Sequence, residues 1–346
     1  MKLRTIRMVG AALIALLLVI GCSREEAPAP AEEAPAAEEA PQEPAVIGIS
    51  KIVAHPALDG VEQGIQDELA DLGYDNLEFD LQNANGDMNT AASIANKFKN
   101  DQVDIAVGIA TPTAQALVNA IDDAPVIYAA VTDPVDAGLV DSFEQGGENV
   151  TGVSDLTPVR AQVEMLQRIA GIETLGHVYA SGEANAVRLA DLAREAAEEL
   201  GIEFVEATVT NSAEVRSATS SIVNRVDGIY VSNDNTVVSA LTALLDVANA
   251  AGVPVMSADP SSAEEMDVLV AWGFDYYKMG RATGRVVDRI LQGTPTSEIP
   301  TVFMTEPGDI DLLINLDVAE RLGITFPDDV ISTANKIVEN GELRTQ

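Results

Sequence analysis

From Val46 onward, apolar and polar positions fall into alternating blocks. Short apolar runs predict buried strands at 46–50 (VIGIS), 103–110 (VDIAVGIA) and 125–131 (PVIYAAV), with a more evenly alternating run at 77–83 (LEFDLQN) beside them. Between them, helices are predicted over 57–72, 88–100 and 112–121. The pattern breaks around 144–155 (EQGGENVTGVSD) and then restarts. Strands are expected at 175–181, 202–209, 226–232, 253–258 and 267–273, and helices at 184–200, 212–224, 235–251 and 275–292. Strands alternating with helices of this length make βαβ units around a parallel sheet. Two restarts of similar size predict an α/β protein of two lobes, each a doubly wound parallel sheet.

The segment before this body has a different grammar. Lys2, Arg4 and Arg7 precede an apolar run from Met8 to Ile20 that is too short for a comfortable membrane span. This is the shape of a secretory signal. It closes on Gly21-Cys22, and Cys22 is the only cysteine in the chain. The pair resembles a bacterial lipobox, which implies cleavage before Cys22 and lipid on its sulfur. Residues 1–21 are therefore expected to be a lipoprotein signal peptide. Residues 22–45 carry Ala, Glu and Pro with no large apolar side chain. Such a stretch buries nothing, so it is expected to be a disordered acidic tether. Together they place the folded body outside the cytoplasm, lipid-anchored to an envelope membrane.

Composition narrows the partners. Lys plus Arg number 20 against 55 Asp plus Glu, a formal net charge of −35. That charge repels phosphate backbones, so no nucleic-acid partner is expected. One cysteine and two histidines, His55 and His177, cannot build a zinc cluster and leave little room for Ser-His-Asp chemistry. There is no G-x-S-x-G elbow, no P-loop and no G-x-G-x-x-G after the first strand. No enzyme activity, cofactor or metal is expected. The polar turn Asn83, Asn85, Gly86 and Asp87 lacks the following ladder of ligands that a calcium loop needs.

The candidate chemistry sits at strand ends, where open α/β sheets bind ligands. Thr111-Pro112-Thr113 follows the third strand, Thr132-Asp133 the fourth, Glu183-Ala184-Asn185 the first strand of the second half, Ser232 to Thr236 a later one, and Asp259-Pro260 the next. Each is also a good helix cap or turn signal. Together they resemble one site, because helix N-termini with free N–H groups bind carboxylates. His55 lies in a strand-end loop and suits either the cleft or solvent. His177, inside an apolar strand, reads as a core residue.

The strings 55-HPALDG, 82-QNANGD, 110-ATPTAQAL, 131-VTDPVDAGLV, 150-VTGVSDLTP, 230-YVSNDNTV and 275-DYYKMGRATG resemble the ABC-transporter substrate-binding family that includes tryptophan- and tyrosine-type amino-acid receptors. The resemblance runs through nearly all of 46–340. It implies the type I periplasmic-binding fold, two Rossmann-like lobes joined by a multi-crossover hinge. The implied lobes are 46–154 plus 275–300, and 155–274 plus 301–346. It further implies that Thr111 and Thr113 hold a ligand carboxylate, that Thr132 and Asp133 form a neighbouring ligand loop, and that Glu183, Ala184 and Asn185 form the closing loop. Asp234 and Asn235 match the family's SDNT-type loop. Ala258-Asp259 stands where the family usually shows a Gly-Asp pair. Ammonium recognition needs a carboxylate, and Asp234 or Asp259 would supply it.

The expected function is capture of a small zwitterion, an amino acid and possibly an aromatic one, by hinge closure. Delivery would be to an ABC permease and its ATPase, by a protein expected to be a monomer. A tethered sensing module and an extracytoplasmic α/β hydrolase are the alternatives. Aromatic residues make up only 4% of the chain, with a single Trp272, which argues against a ring-stacking sugar site.

Overall fold

The computed structural model describes Pro44–Gln346; the signal peptide, Cys22 and the tether up to Glu43 lie outside the described residues. The first lobe opens with β1 (Ala45–Lys51), α1 (Pro56–Asp71), β2 (Leu77–Asn83), α2 (Met88–Asp101), β3 (Ile105–Ile109), α3 (Thr111–Ala120), β4 (Val126–Val131) and β5 (Val150–Ser154). The chain then crosses into α4 (Val159–Ala170), β6 (Thr174–Ala180), α5 (Ala184–Leu200), β7 (Glu203–Val209), α6 (Val215–Ile222), β8 (Gly228–Val231), α7 (Asn235–Val238), α8 (Leu241–Ala251), β9 (Val255–Ser257), α9 (Pro260–Ala263) and β10 (Val270–Phe274). It returns with α10 (Tyr276–Leu291) and β11 (Val302–Phe303). It crosses a third time to end in β12 (Ile310–Asn315), α11 (Leu316–Leu322), α12 (Asp328–Thr333), β13 (Lys336–Glu339) and β14 (Glu342–Thr345).

The first sheet has six strands in the order β11-β5-β4-β3-β1-β2, all parallel. The second has eight, β14-β13-β12-β10-β9-β8-β6-β7. Its central strands are parallel, but β12 runs antiparallel to β10 and β14 antiparallel to β13. β3 and β4 are buried along their whole length, because helices cover both faces of the sheet. One apolar cluster fills the first lobe, and two others lie against the second sheet.

Helix α10 is bound into the first lobe through α1. A Cβ on Gly64 would lie 2.2 Å from the Tyr277 carbonyl oxygen, and one on Gly280 2.3 Å from that of Val61. Only glycine lets the two backbones approach this closely. Arg281 then clamps the pair by bridging Glu68 and Asp71.

Several elements differ from the pattern read along the sequence. The break at 144–155 contains strand β5, whose five residues are all buried. Helix α4 received no assignment, although Val159, Val163, Leu166 and Ile169 mark a buried helical stripe. The helix expected over 235–251 is interrupted at Ala240, which has φ −118° and ψ 23°. Strand β1 begins one residue inside the stretch assigned to the tether. The lobe boundary expected at residue 300 moves later, because Val302 and Phe303 pair with Val153 and Ser154 in the first sheet.

Candidate ligand-binding cleft

The carboxyl ends of both sheets face a small, nearly filled cavity. Its walls include His55 and Leu58 from the loop after β1 and the start of α1, Ala130 from β4 and Tyr276 from α10. The second lobe adds Asn185, Asn233, Asp234, Asn235 and Asp259, and the crossover adds Asp155.

Two strand-end positions in the first lobe carry backbone strain, and one of them, Ala130, lines the cavity. Ala110, at the start of α3, has φ 78° and ψ 156°, a region that glycine alone adopts freely. Ala130 has φ 52°, and the β4–β5 register shifts between Tyr128 and Val131. The resulting bulge re-aims the end of β4 at the cleft. Beside these positions, the hydroxyls of Ser50 and Thr111 are buried without partners. On the facing lobe, Ser232 Oγ, Asn185 Oδ1 and Asn233 Oδ1 are likewise buried and unpartnered. Buried polar atoms are normally satisfied, so the orphans on residues that line the cavity, Asn185, Asn233 and His55, point to a ligand.

The carboxylates divide by how they are held. Asp234 accepts from the Val237 N–H (2.9 Å) with Oδ1 and from the Ala180 N–H (2.6 Å) with Oδ2, so it caps α7 with both oxygens engaged. Burial and the neighbouring Glu183 nonetheless push its carboxyl up from the usual range. Asp259 caps α9 through Oδ1, which accepts from the Ser262 N–H at 3.1 Å. Among the described residues no hydrogen bond reaches its Oδ2. Asp155 accepts from Thr132 Oγ1 (3.0 Å), Tyr276 Oη (2.9 Å) and Asn233 Nδ2 (3.2 Å). Burial pushes its carboxyl up. No Lys or Arg lines the cavity.

Of the residues singled out from the sequence, His55, Asn185, Asp234, Asn235 and Asp259 line this cavity. His55 reaches across the seam, its Nδ1 lying 3.4 Å from Ser262 Oγ, while its Nε2 is buried without a partner. Burial lowers its basicity. The others lie behind or beside the walls. Thr113 turns its hydroxyl back onto the Ile109 carbonyl at 2.6 Å. Thr132 acts through Asp155. Asp133 meets Arg188 of α5 at 3.4 Å across the cleft mouth. Glu183 points into its own lobe and accepts from Asn235 Nδ2 and Thr236 Oγ1, each at 2.6 Å, and Ala184 opens α5 above it. His177 is fully buried, bonded through Nδ1 to the Tyr230 carbonyl at 2.8 Å, and burial lowers its pKa to about 4. The sequence pattern missed Asp155 and Tyr276, and it held Asn233 in a candidate loop without giving it a role. Asp155 ends the unassigned strand β5, and recognising that strand end would have exposed it. Among the described residues no group of three or more His, Cys, Asp or Glu side chains is placed to hold a metal ion.

A curated relative from Clostridioides difficile (strain R20291), described as a tyrosine-binding protein, is 34% identical over 323 residues, covering 92% of each chain. A conserved domain protein from Vibrio cholerae superposes with a TM-score of 0.82 at 44% identity, covering 85% of this chain and 99% of that one. An ABC domain from Streptococcus pneumoniae in complex with L-Trp superposes at 0.81 with 33% identity, covering 85% and 100%. The ligand-free, open structure of a substrate binding protein with adhesive properties from Clostridium difficile reaches only 0.62 despite 37% identity, covering 82% and 97%. Identity is higher with the open structure and the fit is worse. Residues 46–338 match the family described as ABC transporter substrate binding protein, and the chain, with its type I periplasmic-binding fold, belongs to that family.

Proposed function

We propose that this protein is an extracytoplasmic, lipid-anchored receptor that closes on a free amino acid with an aromatic side chain and hands it to an ABC permease and its ATPase. The observation that carries the ligand class is the cavity's charge. Asp155, Asp234 and Asp259 line it with no cation among the lining residues, so the ligand brings the positive group. Asp259 Oδ2, which has no partner, and Asp155 are the ammonium acceptors in this reading. Asp234 is reassigned to holding α7. The carboxylate goes to the opposite wall, where the N-terminus of α3 and the free hydroxyls of Thr111 and Ser50 offer neutral donors. The relatives named for tyrosine and L-Trp support an aromatic side chain.

The test is a thermal-shift screen of the full chain carrying Cys22→Ser against amino acids, sugars and nucleosides, followed by calorimetry. Tyrosine or tryptophan should raise the melting temperature most. A sugar that binds while every amino acid fails would sink the reading. The same Cys22→Ser change should move the protein from the membrane fraction to the soluble one, and a variant that stays with membranes would remove the lipid anchor.

A further inference from the structure

Asp155 stands where the chain first crosses between lobes, directly after β5, and it is buried. Three neutral donors hold it. Thr132 and Tyr276 come from the first lobe, and Asn233 comes from the second, so the Asn233 bond is made across the seam. The titratable groups facing it are Tyr276 on α10, Tyr230 on β8, Asp234 and Asp259 on the loops after β8 and β9, and His55 before α1. None of them is a fixed cation, and burial lowers the basicity of His55. Arg188 at the mouth is already engaged by Asp133. A carboxylate closed into such a seam without a cation carries an uncompensated charge.

We infer that closure of the empty cleft takes up one proton from solvent on Asp155, and that the ligand's ammonium takes that proton's place when the cleft closes on cargo. The neutral acid fits the observed bonds. With the proton on Oδ1, Asp155 donates to the Thr132 oxygen, since a hydroxyl accepts as readily as it donates. Oδ2 continues to accept from Tyr276 and Asn233. The ligand half of this inference rests on the amino-acid reading above; the proton half does not.

The sign follows from linkage. Opening breaks the Asn233 bond across the seam and admits water to Asp155, which eases the desolvation of its charged form. In the closed empty form burial makes it hold its proton to higher pH. Lowering the pH through that interval therefore favours the closed empty state. His55 works in the opposite direction, since burying it on closure sheds its proton. An acidic medium thus shuts the unloaded receptor through Asp155 and makes loading release a proton.

The experiment needs no ligand. The full chain carrying Cys22→Ser receives cysteines at Asp136 and Glu195, exposed positions on the first and second lobes, for a spin-label distance measurement between pH 8 and pH 5. The short-distance population should grow as the pH falls. With Asp155→Asn it should be large and equal at both pH values. His55→Gln should steepen the response of the parent. Thr132→Val, which removes a donor that favours the charged carboxylate, should move the response to higher pH. A parent distribution that ignores pH, a response that survives Asp155→Asn unchanged, or one unmoved by Thr132→Val would overturn the inference. A screen in which no amino acid binds would instead defeat the functional reading and leave these distances standing.

Discussion

On the first-lobe wall of the cleft, Ser50 and Thr111 present buried hydroxyls without partners, and Ala110 and Ala130 hold positive φ. On the second-lobe wall, Asp234 and Asp259 present carboxylates whose oxygens are taken up, wholly or in part, by backbone N–H groups of short helices. Both walls are strand ends of doubly wound sheets, so the same architecture yields a neutral donor face and an acidic face. In the first lobe, fixed dipoles and strain are held in place by the completely buried strands β3 and β4. In the second, charge is placed at the seam and stabilised by helix caps. Under the proposed function, the contrast would give the ligand a direction, with its carboxylate toward α3 and its ammonium toward α9.

The sharpest way to break this polarity is Asp259→Ala. Its fold role is one cap on a four-residue helix. Its binding role is a desolvated charge pair, so affinity should fall by about 2–4 kcal/mol, roughly 30- to 1000-fold, with little loss of structure by circular dichroism. Ligand analogues probe the same axis. An arylpropionate lacking the amine should lose more affinity than an arylethylamine lacking the carboxylate. Calorimetry in which the two analogues bind equally, or the acid binds better, would reverse the assigned direction.

Asp234→Ala should show the reverse balance. It removes the cap of α7 and the partner of the Ala180 N–H at the end of β6, both inside the second lobe. The loss should appear as about 1–3 kcal/mol of unfolding free energy even without ligand. A variant as stable as the parent in denaturant titration would restore Asp234 as a candidate for ammonium contact alone. On the opposite wall, Thr111→Val deletes a hydroxyl that makes no bond within the protein. Stability should hold or rise, while ligand affinity drops about 2- to 12-fold, the worth of one neutral hydrogen bond.

How far the sequence disclosed this arrangement depended on distance along the chain. The helices over 88–101 and 184–200, and strands β1–β4 and β6–β10, were legible because their periodicity is local. His55, Asn185, Asp234, Asn235 and Asp259 were legible as cleft residues because strand-end loops are where such sheets bind. What each carboxylate does was not. Asp234 reads in sequence as a strand-end loop residue, yet it is fully buried, and its partner at the end of β6, the Ala180 N–H, lies 54 residues away. Asp155 was hidden for a related reason. Gly146, Gly147 and Asn149 make the segment before it look like a plain turn, and β5 is a strand only because β4 and β11 flank it. Tyr276 joins Asp155 across 121 residues, a distance that no local pattern spans.

The smallest expected effect lies at the mouth, where the two walls touch through charge. Arg188 on α5 and Asp133 after β4 approach to 3.4 Å, the only ion pair between lobes among the described residues. Arg188 is about one-third exposed, with a side-chain relative exposure of 33%, so water and salt screen the pair. Pairs of this kind contribute about 0.2–1 kcal/mol. The contribution belongs to the closed state alone, because opening separates the partners and leaves each solvated. Arg188→Gln should therefore weaken ligand binding by no more than about 5-fold in dilute buffer. It should act on ligand release more than on capture, since capture occurs while the mouth is open. At about 1 M salt the Debye length shrinks to about 3 Å and the variant should bind like the parent. Stopped-flow dissociation rates for both proteins across that salt range check this. A rate difference that persists undiminished at high salt would mean that Arg188 acts through packing against the mouth and not through its charge.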